Sequence, residues 1–250
     1  MKRQTKRIGL FIVCFSLIFN VFIGSAGAEM KMEQGEHGMT MHHQHIMLNH
    51  ALGMVIEGSN MIMLSEMAMT GGVDKVSLEH GQMMMADGRA LFNELMSGET
   101  MMKMHAAGTT PTDDPMMKYT HQLAEAQLKV MDLLAKMPPA TSEMGPGMTM
   151  HHQHEMLNHA LKMALEGSNM VMLGEMKMTE GVDRVSMEHG KKMMGQAEAL
   201  INEIMSGKTM MEMHGKGMTP EKEKAMGYTH HLAEAELKVI SLLKAMPTDM

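Results

Sequence analysis

Residues 39–50 read MTMHHQHIMLNH, and residues 148–159 read MTMHHQHEMLNH. Eleven of the twelve positions match, and each stretch holds four histidines and three methionines. The match continues well beyond them. Residues 39–138 align with 148–247 at a constant offset of 109, without a gap, and 65 of the 100 positions are identical. A duplication of this length makes a domain-sized unit rather than a short solenoid repeat. Val, Ile and aromatic residues are too few for strands, while Ala, Leu, Met, Glu and Lys dominate. The expected fold is therefore all-α: two tandem copies of a roughly 100-residue three- or four-helix bundle. Each copy is long enough to bury a modest core of its own. The copies, 39–138 and 148–250, are joined by a Pro/Gly/Ser-rich linker at 139–147.

Within a copy, helix one is expected from about Met41, with Gly58-Ser59-Asn60 as a kink or break and a helical restart to about Met69. Asp74 is placed to cap helix two, which stops at Ser97-Gly98. MMKMH (101–105) reads as a loop, and Thr112-Asp113-Asp114-Pro115 starts helix three, which ends at Met137 before Pro138-Pro139.

The chain opens MKRQTKR, runs apolar from Ile8 to about Gly24 and then reads Ser25-Ala26-Gly27-Ala28. That is the pattern of a secretory signal peptide, 1–28, with cleavage after about Ala28 and export to the periplasm or medium. An uncleaved anchor is the other reading. No later stretch is long and apolar enough to cross a bilayer, so no membrane association is expected after cleavage. Residues 29–38 read as a flexible polar arm. The only cysteine, Cys14, lies inside the signal. This rules out zinc-ribbon and iron–sulfur sites and covalently attached haem. Removing the four basic residues of the signal from 22 Lys+Arg leaves 18 against 29 Asp+Glu, a net −11. Acidity and the lack of stacking groups argue against nucleic acid and for cations.

The outlying number is 42 methionines in 250 residues. Methionine fills gaps in cores, but many of these are adjacent or lie in Gly-rich segments, so one apolar face cannot take them all. Thioether and imidazole are the two neutral side-chain ligands for soft and borderline transition metals. The candidate ligands of the first helix are Met41, His42, His43, His45, Met47, His50, Met54 and Met61. Their counterparts are Met150, His151, His152, His154, Met156, His159, Met163 and Met170. His43, Met47, His50, Met54 and Met61 recur at 3–4 spacing along one stripe. His42, His43 and His45 are expected to be solvated at a helix N-terminus and to titrate near pH 6.5. In helix two, His80–Met84 and His189–Met193 are i, i+4 pairs expected to face the core; a core histidine with methionine filler is the plain alternative. In helix three, Met117–His121 and Met226–His230 repeat that spacing. The segments Met101, Met102, Met104, His105 and Met210, Met211, Met213, His214 offer M-x-M and M-H spacings for a soft ion of low coordination number.

In this Met- and His-rich, cysteine-free form the chain resembles periplasmic copper-handling proteins that bind Cu(I) through M-x-M and M-H clusters. It is loosely similar to small ferritin-like bundle proteins of copper-resistance systems, with His42-His43 and His151-His152 as the H-H near a helix start. The resemblance implies metal binding and copper tolerance, but no ligand set. Glu-x-x-His, the di-iron signature, is absent. Serines are scarce and no phosphate loop occurs, so an enzyme is not expected. The leading expectation is an exported copper store, buffer or carrier: Cu(I) at thioethers, Ag(I) as surrogate, Cu(II) at the His-rich ends, and a copper exporter or chaperone as partner. The alternatives are a b-type haem bundle and a Met-rich module that binds partner helices.

Overall fold

The computed structural model describes residues 34–66, 74–106, 114–138, 146–177, 181–217, 219 and 223–247. Among these residues there are eight helices and no strand. In chain order they are α1 (Gln34–Glu66), α2 (Lys75–Ser97), α3 (Glu99–Ala106), α4 (Pro115–Leu134), α5 (Pro146–Glu175), α6 (Asp183–Ser206), α7 (Lys208–Gly215) and α8 (Lys224–Lys244). The all-α expectation holds. The proposed signal segment and residues 29–33 of the arm lie outside the described residues, as do 139–145 of the linker. No described helix is long and apolar enough to cross a membrane.

Local chemistry sets two of the helix starts. The Asp74 carboxylate accepts from the Val76 and Ser77 N–H groups at 3.1 and 3.3 Å. Asp114 accepts from Met116 N–H at 2.8 Å, with Pro115 in the first turn where its missing N–H is harmless. Three elements differ from expectation. Helix α1 begins at Gln34, so residues 34–38 of the arm are helical. It also runs unbroken through Gly58-Ser59-Asn60. Gly58 is retained there for closeness: a Cβ on it would stand 2.5 Å from the Gly81 carbonyl oxygen of α2. Finally, the M-x-M segments are not loops but the short helices α3 and α7.

Helices α1 and α2 pack along their lengths, as do α5 and α6. The copies then join through α1 against α5 and α4 against α8. Asn49 Nδ2 donates to Asn169 Oδ1 at 2.9 Å, and Asn158 Nδ2 donates to Asn60 Oδ1 at 2.7 Å. Asn158 and Asn169 are the counterparts of Asn49 and Asn60 at the 109-residue offset, so these are one contact made twice with the copies exchanged. The helices run antiparallel about a pseudo-twofold axis, as in an isologous dimer fused into one chain. Lys162 of one copy pairs with Glu57 of the other, and Tyr228 O–H donates to the Leu133 carbonyl at 3.0 Å. One apolar core passes through both copies, from Leu48, Leu52 and Leu123 to Leu157, Leu161 and Leu232. Apolar faces of each copy are thus covered by the other, and 34–250 forms one compact unit. Residues 146–247 made alone should therefore self-associate as a dimer through their own Asn158 and Asn169 faces. Sedimentation equilibrium checks this, and a folded monomer would contradict it.

Candidate metal centre

The start of α5, the short helix α7 and the first turn of α8 bring four methionines together. Met150, Met210, Met213 and Met226 are at most 6% exposed and form a cluster apart from the main core, with Met205 packed against it. The spacing explains the inward pair. Met210 and Met213, three apart on α7, face inward, while Met211 between them is 63% exposed. At the rim His214 faces His230 of α8, one turn beyond Met226, with ring centroids 5.6 Å apart. The first copy repeats this. Met41, Met101 and Met117 are buried at the equivalent positions, and His105 and His121 have centroids 5.4 Å apart. There the methionines merge with the main core through Met116, which is Ala225 in the second copy. The side chain of Met104 lies outside the described ones. Burial, and then the charge of His105, holds the His121 pKa below its ordinary value, so the neutral, ligating form persists to lower pH.

A second group lies one turn along α1 and α5 from these methionines. His42 Nε2 is 3.0 Å from Glu175 Oε2, a carboxylate of the other copy. His45 Nε2 is 2.7 Å from Thr120 Oγ1, and the His45 ring meets Tyr119 edge-on at 5.2 Å. In the second copy His154 Nε2 is 2.7 Å from Thr229 Oγ1. Its ring lies 4.9 Å from Tyr228 and 5.9 Å from His151. Burial, helped by the neighbouring His42 and His151, pushes His45 and His154 down to about 3. The expectation of solvated histidines here is corrected for His42 and His45 and for their counterparts, and that of ready protonation for His45, His151 and His154. Helix α1 begins well upstream of them, and the other copy covers this end. Only His43 and His152 point outward.

The remaining candidates are not gathered. His50 and His159 are exposed. Met47, Met54, Met61, Met156, Met163 and Met170 are half-buried, and of these Met54, Met61 and Met170 abut the glycines of α2 and α6. The stripe on helix one is thus a helix-packing seam flanked by exposed histidines. The expectation that His80–Met84 and His189–Met193 face the core is corrected. His80 and His189 are exposed and Met84 and Met193 half-buried, because α2 and α6 turn their glycine face inward: Gly81, Gly88 and Phe92 in α2, Gly190 and Ala197 in α6. Met102 is 60% exposed. Sequence reading missed Glu66, Glu175, Thr120 and Thr229. They are two pairs of counterparts: Thr120 and Thr229 reach a histidine of their own copy, whereas Glu66 and Glu175 reach one only through the crossing of the copies.

Among the described residues no group of three or more His, Cys, Asp or Glu side chains is placed to hold one ion. The donor sets that do assemble are thioethers with at most a pair of imidazoles. Such a set carries no charge of its own and suits a soft, low-coordinate cation better than Zn(II) or Cu(II). No protein family, curated protein or solved structure matches this chain.

Proposed function

We propose that this chain binds Cu(I), with Ag(I) as a competing surrogate, and stores, buffers or carries copper in an exported compartment. The supporting observation is the buried cluster of Met150, Met210, Met213 and Met226 with the His214–His230 pair at its rim. The equivalent methionines and histidine pair occur in the first copy. Thioethers take a monocation without burying net negative charge and carry no proton to lose, so they hold it at low pH. Nothing in this chemistry calls for catalysis, and delivery to an exporter or chaperone fits a site whose rim His and Met211 face outward. Replacing Met210 and Met213 by leucine tests the reading. Leucine conserves volume and costs less than about 1.5 kcal/mol per site, while removing two sulfurs. In anaerobic Cu(I) titration against a competing chelator, the double variant should lose affinity at one site by about tenfold or more. Wild-type uptake by the folded variant would show that the cluster is packing.

A further inference from the structure

The hydrogen-bond pattern around His42 and His45 fixes which ring nitrogens carry protons. Thr120 O–H donates to the Met116 carbonyl at 2.8 Å. Its oxygen can therefore only accept from His45, so His45 Nε2 bears the hydrogen and Nδ1 is a bare lone pair. Glu175 reaches the same outcome at His42 by charge. A lone pair on Nε2 would be repelled by a carboxylate oxygen 3.0 Å away, so Nε2 bears the hydrogen in the neutral ring. Both Nδ1 atoms are buried and have no hydrogen-bond partner among the described residues. The second copy repeats the arrangement. Thr229 O–H donates to the Ala225 carbonyl at 2.9 Å, and the Nδ1 atoms of His151 and His154 are likewise buried and unpartnered. The pseudo-twofold places Glu66 against His151 as Glu175 stands against His42.

Leaving two imidazole acceptors unpaired in an interior is unfavourable unless something else takes the lone pairs. Two metal–nitrogen bonds of about 2 Å each, plus two ring radii, put the centroids of imidazoles sharing one ion about 6 Å apart. The His151 and His154 centroids are 5.9 Å apart. No third His, Asp or Glu joins them among the described residues, and two-fold coordination is the habit of d10 monocations. Metal-ligating histidines commonly give their other N–H to a carboxylate.

We propose that His42 with His45, and His151 with His154, form two further metal sites, each taking one d10 monocation between two Nδ1 atoms. Glu175 and Glu66 are positioning residues supplied across the copy boundary, which makes each site a product of both copies. Binding releases no proton, because Nδ1 carries none. The inference rests on the soft-metal reading above but uses different donor atoms, so the two can fail separately.

The test is Ag(I) titration of the full protein at about pH 7.5, followed by ¹⁵N shifts of the imidazoles and ¹³C shifts of the methionine methyls. Wild type should show all four rings as Nε2–H tautomers before metal, and large Nδ1 shifts on binding. Glu175→Gln, which keeps the shape and removes the charge, should raise the Nδ1–H fraction of His42. It should also weaken Ag(I) at that pair by roughly tenfold, with the methionine-methyl response unchanged. Methyl shifts without Nδ1 shifts would overturn this proposal and leave the methionine sites standing. Nδ1 shifts without methyl shifts would support it and overturn those sites. Neither response would overturn both. Glu175→Gln binding Ag(I) at His42–His45 like wild type would overturn the role of the carboxylate.

Discussion

Gly190→Ala should destabilise the folded protein by about 2–3 kcal/mol or more, although alanine is the better helix former. A Cβ at Gly190 would stand 2.2 Å from the Gly167 carbonyl oxygen and 3.0 Å from Val171 Cγ2. The obstacle is backbone, so no rotamer change relieves it, and α5 and α6 must separate where they pack most closely. The contact is reciprocal, since a Cβ on Gly167 would stand 2.6 Å from the Gly190 oxygen. The first copy repeats it at Gly58 and Gly81, at 2.5 and 2.6 Å. The same helix supplies the control. Nothing lies within 4 Å of a Cβ at Gly195, so Gly195→Ala keeps only the propensity gain of roughly 0.5–1 kcal/mol. Thermal unfolding separates the pair: for a unit of this size the loss at Gly190 lowers Tm by roughly 5–10 °C, whereas Gly195→Ala raises it slightly. Equal Tm for Gly190→Ala and wild type would show that the helices are not in main-chain contact.

These glycines also mark where sequence reading stops. Composition and spacing suffice for helices, and Asp74, Asp114 and Pro115 mark their starts because capping is local chemistry within four residues. Gly58-Ser59-Asn60 looks like a break for the same local reason. Its actual role is a crossing with Gly81, and nothing near Gly58 in the chain announces that partner. The 109-residue duplication is legible, but not that the copies interlock. Asn49 and Asn60 look like ordinary polar residues on a helix until the antiparallel register pairs each with the other's counterpart. The candidate site divides in the same way. Met210, Met213 and His214 are legible as one motif because α7 is short and local. His42 and His45 are legible as candidate ligands but not as buried residues, since His42 meets Glu175 of the other copy and His45 meets Thr120 and Tyr119 some 75 residues along the chain.

Glu236→Gln should stabilise the protein at neutral and alkaline pH, and the gain should grow with pH. Glu236 is fully buried on α8, and neither carboxyl oxygen has a hydrogen-bond partner among the described residues. The described ion pairs leave it out. Tyr228, two turns earlier on the same helix, is itself held neutral by burial and by Glu236. Burial pushes the Glu236 carboxyl well above the usual 4.5, so in the folded protein it stays protonated where the unfolded chain is ionised. An acid with a raised folded pKa gives its full stability below the unfolded value. That stability falls by about 1.4 kcal/mol per pH unit from about pH 4.5 up to the folded pKa. The first copy shows what the position prefers. Its counterpart is Gln127, also fully buried, whose Nε2 donates to Asn49 Oδ1 at 2.8 Å. The matching acceptor in the second copy, Asn158 Oδ1, is buried without a partner among the described residues, so a glutamine at 236 has a bond waiting. Urea unfolding from about pH 6.5 to 9 isolates the effect, because His45 and His154, held down to about 3, lower stability only below their unfolded value of 6.5. Over that range the wild-type curve should fall relative to Glu236→Gln, and Gln127→Glu should add the same slope to the first copy. Parallel curves for wild type and Glu236→Gln would mean that Glu236 titrates as a solvated carboxylate and that the α8 face carrying it is open to water.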